Sequence, residues 1–450
     1  MRRKDLIGLK IAIWGTGMEA TAAARYLREV APKQTFTYID EKENAALPDQ
    51  DQHPTDKLVT SEKDIRQALE TADVVIKSPG VSLYHPLLQT ARDRKVPITS
   101  LLNLWSAENE TEKIIAITGT KGKSTTSSLL THVLEQMGKH VTLLGNFGVP
   151  VTECCTQDFD YVVVEFSSYQ TATFDGRCGI GLLTALYPEH LDWHQTLQTY
   201  YRDKSRLLQQ CDHALIGRQA DDVMKAHALP CPNPAPDIID DEAHFHFVGD
   251  DLFKGSEKIG PLDNAYLLRA HNRLNVCGVM GIIEGLSLPL DQALASMKYY
   301  KGLPHREQEI GEKDGILYVD DSISTTPQSA LAALAAYQDK PVTLIAGGQD
   351  RGIDFTPLTD YLTQTPSIPV VCLGQSGATI ATLLGQRPNL HQAKTMQQAV
   401  QIAQSVTPQG GVILLSPASP SYDMFENYMA RAQAFAHEAG LSKASNKIRS

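Results

Sequence analysis

Several features are scarce in this chain, and each scarcity excludes a class of protein. Cysteine numbers only seven in 450 residues. The cysteines are odd in number and scattered, no Cys-x-x-Cys pair occurs, and adjacent Cys154 and Cys155 do not form a zinc or redox motif. A reducing cytosol fits this usage best. No uninterrupted apolar run reaches the roughly 18 residues that a membrane span requires. Arg2, Arg3 and Lys4 precede an apolar stretch as a signal peptide would, but Asp5 and Lys10 interrupt it before a Gly-containing turn. There is no Lys/Arg-rich run, and the formal net charge is −11. A general nucleic-acid or anionic-membrane surface is therefore not expected, and anionic ligands would need local cationic sites. With 31 glycines, 24 prolines, 42% hydrophobic and 21% charged residues, the composition is neither collagenous nor disordered. No short-period repeat or low-complexity tract is present.

What remains is a globular chain long enough for about three domains at roughly 150 residues each. Short β-rich apolar runs repeatedly precede helix-like segments, the pattern of βαβ units around parallel sheets. The expected fold class is α/β with three domains. The first is Rossmann-like over residues 1–105, the second a central phosphate-loop mononucleotide-binding parallel sheet over 106–301, and the third Rossmann-like over 302–450. In the first, strands are predicted at 10–14, 35–39 and 73–76, with a helix at 18–30. In the second, strands at 113–118 and 161–165 flank a helix at 123–137. The third carries strands near 316–319, 342–346, 370–373 and 412–415. Ligands of open α/β sheets sit at the carboxyl edge of the strands.

The strongest local signal is Thr118-Gly119-Thr120-Lys121-Gly122-Lys123-Ser124-Thr125, between a predicted strand and a predicted helix. Glycines there let backbone N–H groups approach phosphate oxygens and the helix N-terminus adds positive potential. Lys123 can reach terminal phosphates and Ser124 can ligate Mg²⁺. Ile117 stands where the general pattern has its first glycine. Gly15-Thr16-Gly17 is a weaker signal, because Ala20 replaces the third glycine of a dinucleotide fingerprint. Asp40 nevertheless ends the next strand, where an acidic group can meet ribose hydroxyls; a plain tight turn is the competing reading. Glu165-Phe166-Ser167-Ser168-Tyr169-Gln170 ends one strand and Pro188-Glu189-His190-Leu191-Asp192-Trp193-His194 follows another, so carboxylate and imidazole could hold a divalent metal. Read alone, His190 is more often a hydrogen-bonded structural histidine and Lys204 a solvated lysine. Toward the C-terminus, Gly302 to Arg306, Asp320 to Pro327 and Gly347 to Arg351 place Asp, hydroxyl and Arg groups at strand ends, or are ordinary loops.

This order of motifs resembles the Mur ligases of peptidoglycan synthesis, specifically the branch that adds glutamate to UDP-N-acetylmuramoyl-L-alanine. The match covers nearly the whole chain. It rests on Thr118 to Thr125, Asn146, Glu165 to Gln170, His190, Lys204, His271-Asn272 with Asn275, Gly302 to Arg306, Asp321-Ser322 and Leu415-Ser416-Pro417 leading to Ser421. The resemblance implies that Gly15, Gly17, Met18, Glu19, Asp40 and Asn146 hold the UDP-sugar acceptor. It implies that Gly119, Thr120, Lys121, Gly122, Lys123, Ser124, Thr125, Asn272, Asn275, Arg306 and Asp321 serve ATP. Two Mg²⁺ sites are implied, one on Ser124 and Glu165 and one on His190 and Lys204, with Lys204 converted by CO₂ to a carbamate. Lys123, Glu165, His190 and Lys204 would form the catalytic set, and Thr325, Arg351, Ser421 and Tyr428 the glutamate pocket. A cytoplasmic monomer without nucleic-acid or membrane partners is expected.

One departure bears on stereochemistry. D-glutamate-adding relatives usually carry Asp-Ser-Lys-x-Thr-Asn where this chain has Asp321-Ser322-Ile323-Ser324-Thr325-Thr326, so Ile323 removes a cation and Thr326 an amide. This run, together with Tyr428 where phenylalanine is usual and Ser419-Pro420 before Ser421, is similar to the variant branch that adds L-glutamate and depends on a separate epimerase. Four other readings remain open: the same reaction with D-glutamate, a folylpolyglutamate synthetase-like ligase, an NAD-dependent oxidoreductase built on Gly15-Thr16-Gly17, and a nucleotide-gated binding protein that lost turnover.

Overall fold

The computed structural model describes residues 1–42, 44–48, 53–145, 151–154 and 156–441. The chain forms two compact units, Met1–Tyr300 and a second beginning at Lys301. The first unit contains two parallel sheets. In the N-terminal sheet, β1 (Ile11–Trp14), β2 (Phe36–Ile39), β3 (Lys57–Val59), β4 (Val74–Lys77) and β5 (Ile98–Thr99) are all parallel, in the order β3-β2-β1-β4-β5. Chain order reverses between β1 and β4, so their carboxyl ends frame a crevice of the kind that binds ligands in such sheets. Gly15 follows β1 at that crevice with φ +123°, and a Cβ there would collide with Ser78, which follows β4.

The central sheet comprises β6 (Ile114–Thr118), β7 (Val141–Gly145), β8 (Tyr161–Glu165), β9 (Cys178–Leu183), β10 (Cys211–Gly217) and β11 (Asp237–Ile239), ordered β11-β10-β9-β6-β8-β7 and parallel throughout. Its middle strand β6 is buried along its length, as expected of a parallel sheet covered on both faces. The helix Lys123–Gln136 leaves β6 and buries Leu129, Leu130, Val133 and Leu134 completely; each such side chain is worth about 1.5–3 kcal/mol removed from water. The helix Ala270–Gly285 packs in the same core. A small antiparallel sheet of β12 (Phe245–Val248), β13 (Asp251–Lys254) and β14 (Glu257–Pro261) completes the unit.

In the second unit, β15 (Gln308–Lys313) pairs antiparallel with β16 (Ile316–Asp320) at one edge. β17 (Val342–Ala346), β18 (Val370–Leu373), β19 (Leu390–Ala393) and β20 (Val412–Leu415) continue the sheet in parallel, ordered β15-β16-β20-β17-β18-β19. Apolar layers cover both faces.

The predicted strands at 161–165, 342–346, 370–373 and 412–415 coincide with β8, β17, β18 and β20, and the other predicted strand ends differ by a residue. The first helix stops at Arg28, short of the predicted Val30. The scattered cysteines gave no reason to expect a pair, yet Cys178 and Cys211 occupy paired positions on β9 and β10 and form a disulfide. No helix among the described residues is long and apolar enough to cross a membrane.

Candidate active site

The loop between β6 and the helix Lys123–Gln136 is held open by its backbone. Gly119 (φ +148°) and Gly122 (φ +87°) both adopt conformations that favour glycine. A Cβ on Gly119 would strike Thr184 Oγ1, and one on Gly122 would lie 2.6 Å from Asn275 Oδ1. Thr120 N–H donates to the Ala185 carbonyl at 2.7 Å, and Thr184 Oγ1 donates to the Lys121 carbonyl at 2.6 Å. Ser124 and Thr125 fall in the first helical turn, where N–H groups lack intrahelical acceptors and can receive an anion. Lys123 Nζ folds back onto the Gly119 and Thr120 carbonyls at 2.6 and 3.1 Å, and exposed Lys121 lies 3.5 Å from Glu189. Asn272 and Asn275 are buried behind this loop: Asn275 Nδ2 donates to Asn272 Oδ1 at 3.0 Å and Asn275 Oδ1 accepts from Thr126 at 3.1 Å.

Glu165, His190 and Lys204 converge beside the loop. Glu165 ends β8 and is 1% exposed. His190 adopts a left-handed backbone (φ +54°), and its Nδ1 lies 2.9 Å from the Tyr169 hydroxyl. Lys204 is fully buried, and its Nζ donates to the Gly119 carbonyl at 2.9 Å. Burial, reinforced by the neighbouring charge of Lys123, holds the Lys204 amine well below the usual lysine range; Glu189 and Glu165 oppose the shift. Burial likewise lowers His190, with Lys204 and Lys123 adding to the effect and Glu189 opposing it. Both nitrogens are thus biased toward the neutral state that ligates metals or, for an amine, reacts with CO₂. No group of three or more His, Cys, Asp and Glu suited to a metal occurs among the described residues. The donor set nevertheless fits ions shared with phosphate oxygens: one buried carboxylate, one helix-terminal hydroxyl, one imidazole and one amine able to become an anion.

At the N-terminal crevice, Asp40 accepts from Thr16 Oγ1 at 2.7 Å and from Lys42 N–H at 3.0 Å, so it organises the turn. Gly17 caps the helix Met18–Arg28, and Met18 is exposed. Glu19 is turned toward Gln170 and Lys77, and burial raises its pKa. Asn146 lies outside the described residues.

In the second unit, Asp321 is buried after β16 and accepts from Ser416 Oγ at 2.6 Å and Glu307 N–H at 3.2 Å. Burial pushes its carboxyl up to about 7. Arg306, next to Glu307 in the chain, is half-buried, with Nε lacking a hydrogen-bond partner among the described residues. Ser421 is buried, while Tyr428 starts the helix Tyr428–Glu438 and meets His305 edge-on at 5.7 Å. Exposed Arg351 lies 5.4 Å from the Tyr422 ring centre, next to Ser421 in the chain. Thr325 is exposed, directly before the helix cap Thr326.

Sequence reasoning missed the residues that bind these groups together. Buried Arg431 donates to Ser322 Oγ, the Ser322 carbonyl and the Ser419 carbonyl at 3.0, 2.8 and 3.0 Å, joining the loop after β16 to the loop after β20. Lys77 is buried at the end of β4 and donates to the Ser78 and Val81 carbonyls at 3.0 and 2.7 Å. Burial lowers its pKa to about 7. A lysine closing an apolar strand ahead of Ser78-Pro79-Gly80 was the available signal for it.

A glycine-opened anion cradle, a lysine reaching over it and a neutral-biased His/Lys pair at its rim define a phosphate-loop α/β nucleotide-binding protein. Comparison with known proteins narrows the class. Residues 9–100 match the MurD-like N-terminal domain of Mur ligases and residues 117–231 the Mur ligase middle domain. The chain is 36% identical over 465 residues to the UDP-N-acetylmuramoyl-L-alanine--L-glutamate ligase of Xanthomonas campestris pv. campestris strain 8004, covering 99% of this chain and 98% of that one. It is 35% identical over 453 residues to the enzyme of the same name from Salinispora tropica, covering 97% and 98%. The fold is shared with the UDP-N-acetylmuramate-alanine ligase of Thermotoga maritima, with TM-score 0.58 and 18% identity over 97% of this chain and 100% of that one. The chain belongs to the Mur ligase family.

Proposed function

We propose that this protein is an ATP-dependent ligase that joins glutamate, L-glutamate in preference to D-glutamate, to UDP-N-acetylmuramoyl-L-alanine in peptidoglycan biosynthesis. The observation that carries this reading is the full-length relationship to L-glutamate ligases, supported by a phosphate loop with Lys123, Glu165, His190 and Lys204 gathered around it. Residues 1–105 would hold the UDP-sugar, 106–301 ATP, and 302–450 glutamate together with part of ATP. Gly15, Gly17, Met18, Glu19, Asp40 and Asn146 serve the acceptor in this scheme, and Thr325, Arg351, Ser421 and Tyr428 the glutamate. Arg306 neutralises phosphate, Asp321 meets the ATP ribose, and Asn272 and Asn275 support the nucleotide from behind the loop. The protein would act in the cytoplasm as a monomer, with a separate epimerase inverting its product.

The chemistry begins with a poor electrophile. An oxygen of the L-alanine carboxylate attacks the γ-phosphorus of ATP, ADP leaves, and an acyl phosphate results. The neutral glutamate amine then attacks the acyl carbon, and the tetrahedral intermediate expels inorganic phosphate and a proton to leave the amide. Lys123 and the loop N–H groups screen repulsion between carboxylate and triphosphate and stabilise charge that develops on the transferring group. Ser124 and Glu165 would hold one Mg²⁺, and His190 with carbamylated Lys204 a second. When bound, these ions supply further neutralisation of phosphate charge. Burial of Lys204 favours the free amine that adds to CO₂ with loss of a proton.

The test is phosphate release with mass detection of product, using ATP, Mg²⁺ and UDP-N-acetylmuramoyl-L-alanine with L- or D-glutamate in parallel. L-specific turnover is expected and directs stereochemical study to the Ile323 loop. D-specific turnover would keep the ligase and overturn the preference. No turnover with either would overturn the reading in favour of another acceptor, another amino acid or a binding protein.

A further inference from the structure

The boundary between the N-terminal and central sheets is crossed by half-buried hydrogen bonds that lead into a fully buried pair on the central side. From the segment after β4, the Pro79 carbonyl accepts the Trp193 indole N–H at 3.2 Å, and Ser82 Oγ donates to the Trp193 carbonyl at 2.7 Å. Two residues on, the Tyr84 hydroxyl lies 2.8 Å from each oxygen of Asp203. Asp203 is also bonded to His194 Nδ1 at 2.8 Å, and His194 Nε2 lies 3.0 Å from Ser168 Oγ. His194, Ser168 and Asp203 are 0%, 2% and 5% exposed. Arg202 borders the network from outside, donating to the Tyr84 hydroxyl at 3.1 Å.

Each end of this network touches one half of the site. Tyr84 belongs to the loop that continues from the N-terminal crevice. Ser168 belongs to the run that begins with Glu165, and Asp203 immediately precedes Lys204 in the helix Leu197–Ser205. Successive side chains of a helix diverge by about 100°, so anchoring Asp203 toward Tyr84 and His194 sets the helix rotation that directs Lys204 to the Gly119 carbonyl. A solvent-facing network would set nothing, because water would substitute for each partner. Here Asp203, His194 and Ser168 are buried beneath half-buried Tyr84, and loss of the Tyr84 hydroxyl leaves the Asp203 carboxylate short of a partner.

We propose that Tyr84, Asp203 and His194 are positioning residues that couple acceptor binding at the N-terminal crevice to ATP binding at the phosphate loop. The inference rests on the proposed function, since it presumes both ligands. The two-state element is the rotational setting of the helix Leu197–Ser205, which each ligand biases from its own side. By linkage, each ligand must then alter the affinity of the other by the same factor.

The test is calorimetric titration of a non-hydrolysable ATP analogue with Mg²⁺, with and without saturating UDP-N-acetylmuramoyl-L-alanine, for the wild-type chain, Tyr84→Phe and Asp203→Asn. The wild type should show coupling of about fivefold or more. In Tyr84→Phe the factor should fall below about twofold, and in Asp203→Asn it should fall as well. Each ligand alone should keep its affinity in Tyr84→Phe, even though loss of the hydroxyl's bond to Asp203 lowers the thermal midpoint. Uncoupled binding in the wild type, or full coupling in both variants, overturns the proposal. Equal loss of both single-ligand affinities also overturns it, because the network would then be scaffold only. Failure of either ligand to bind the wild type alone would instead overturn the functional reading.

Discussion

Lys77 and Lys204 in the first unit and Asp321 in the second are all withdrawn from water, and burial acts on each in the direction of neutrality. The consequence differs between the units. In the first, amines are pushed toward the unprotonated state beside a site suited to anions. In the second, a carboxyl is pushed toward the protonated state where the nucleotide ribose is proposed to bind. Arg431 shows the other solution to burial: desolvation lowers its pKa only to about 10, because the nearby charge of Asp423, with Asp320 and Asp321, opposes the shift and retains the charged form. Burial alone does not decide ionisation; the partners supplied at the site do.

The largest effect that would sharpen this contrast is expected from Lys123→Ala. It should lower ATP turnover by about a thousandfold, the scale on which one transition-state charge contact acts, as read by phosphate release. If turnover survives, the first unit's site does not depend on the loop lysine. Lys204→Ala should lower the rate by roughly a hundredfold, with partial rescue by a short carboxylic acid that replaces the lost anionic ligand; a normal rate would remove the carbamate role.

A smaller effect tests the second unit's buried carboxyl. Asp321 has a folded pKa near 7 against 3.8 for the free group, so between these values the folded state holds more protons than the unfolded state. Stability must therefore fall as pH rises through this window. Asp321→Asn, which keeps the shape, should gain about 2 kcal/mol relative to the wild type between pH 5 and 7, measured by denaturant unfolding. Parallel curves would show that Asp321 is ionised when folded. Lys77 carries the opposite sign: its folded value lies near 7 against 10.5, so its contribution rises with pH above neutrality. The smallest effect concerns exposed Arg351. Arg351→Ala should raise the KM for glutamate about tenfold, roughly the worth of one charged hydrogen bond, with kcat changed less. An unchanged glutamate dependence would remove Arg351 from that pocket.

The phosphate loop was legible because its parts are adjacent in the chain: an apolar strand, two glycines, a lysine and a first-turn hydroxyl lie within a dozen residues. The parallel sheets were legible for a similar reason, since β6, β17, β18 and β20 are short apolar runs bounded by loops. Edge strands such as β3 and β15 were not, because their half-exposed residues carry no comparable pattern. Arg431 and Ser322 lie 109 positions apart, Tyr84 and Asp203 119 apart, and Cys178 and Cys211 33 apart. No local pattern announces such pairs.

The sequence by itself determined which chemical groups are present, which turns are open enough to receive phosphate, and the α/β class. Only the tertiary structure decided that Lys77, Lys204 and Asp321 are buried, that His194 faces Asp203, and that Arg431 spans two loops. The physical reason is that backbone conformation and hydrophobic period are set by neighbours in the chain, whereas solvation and long-range partners exist only once distant segments pack together.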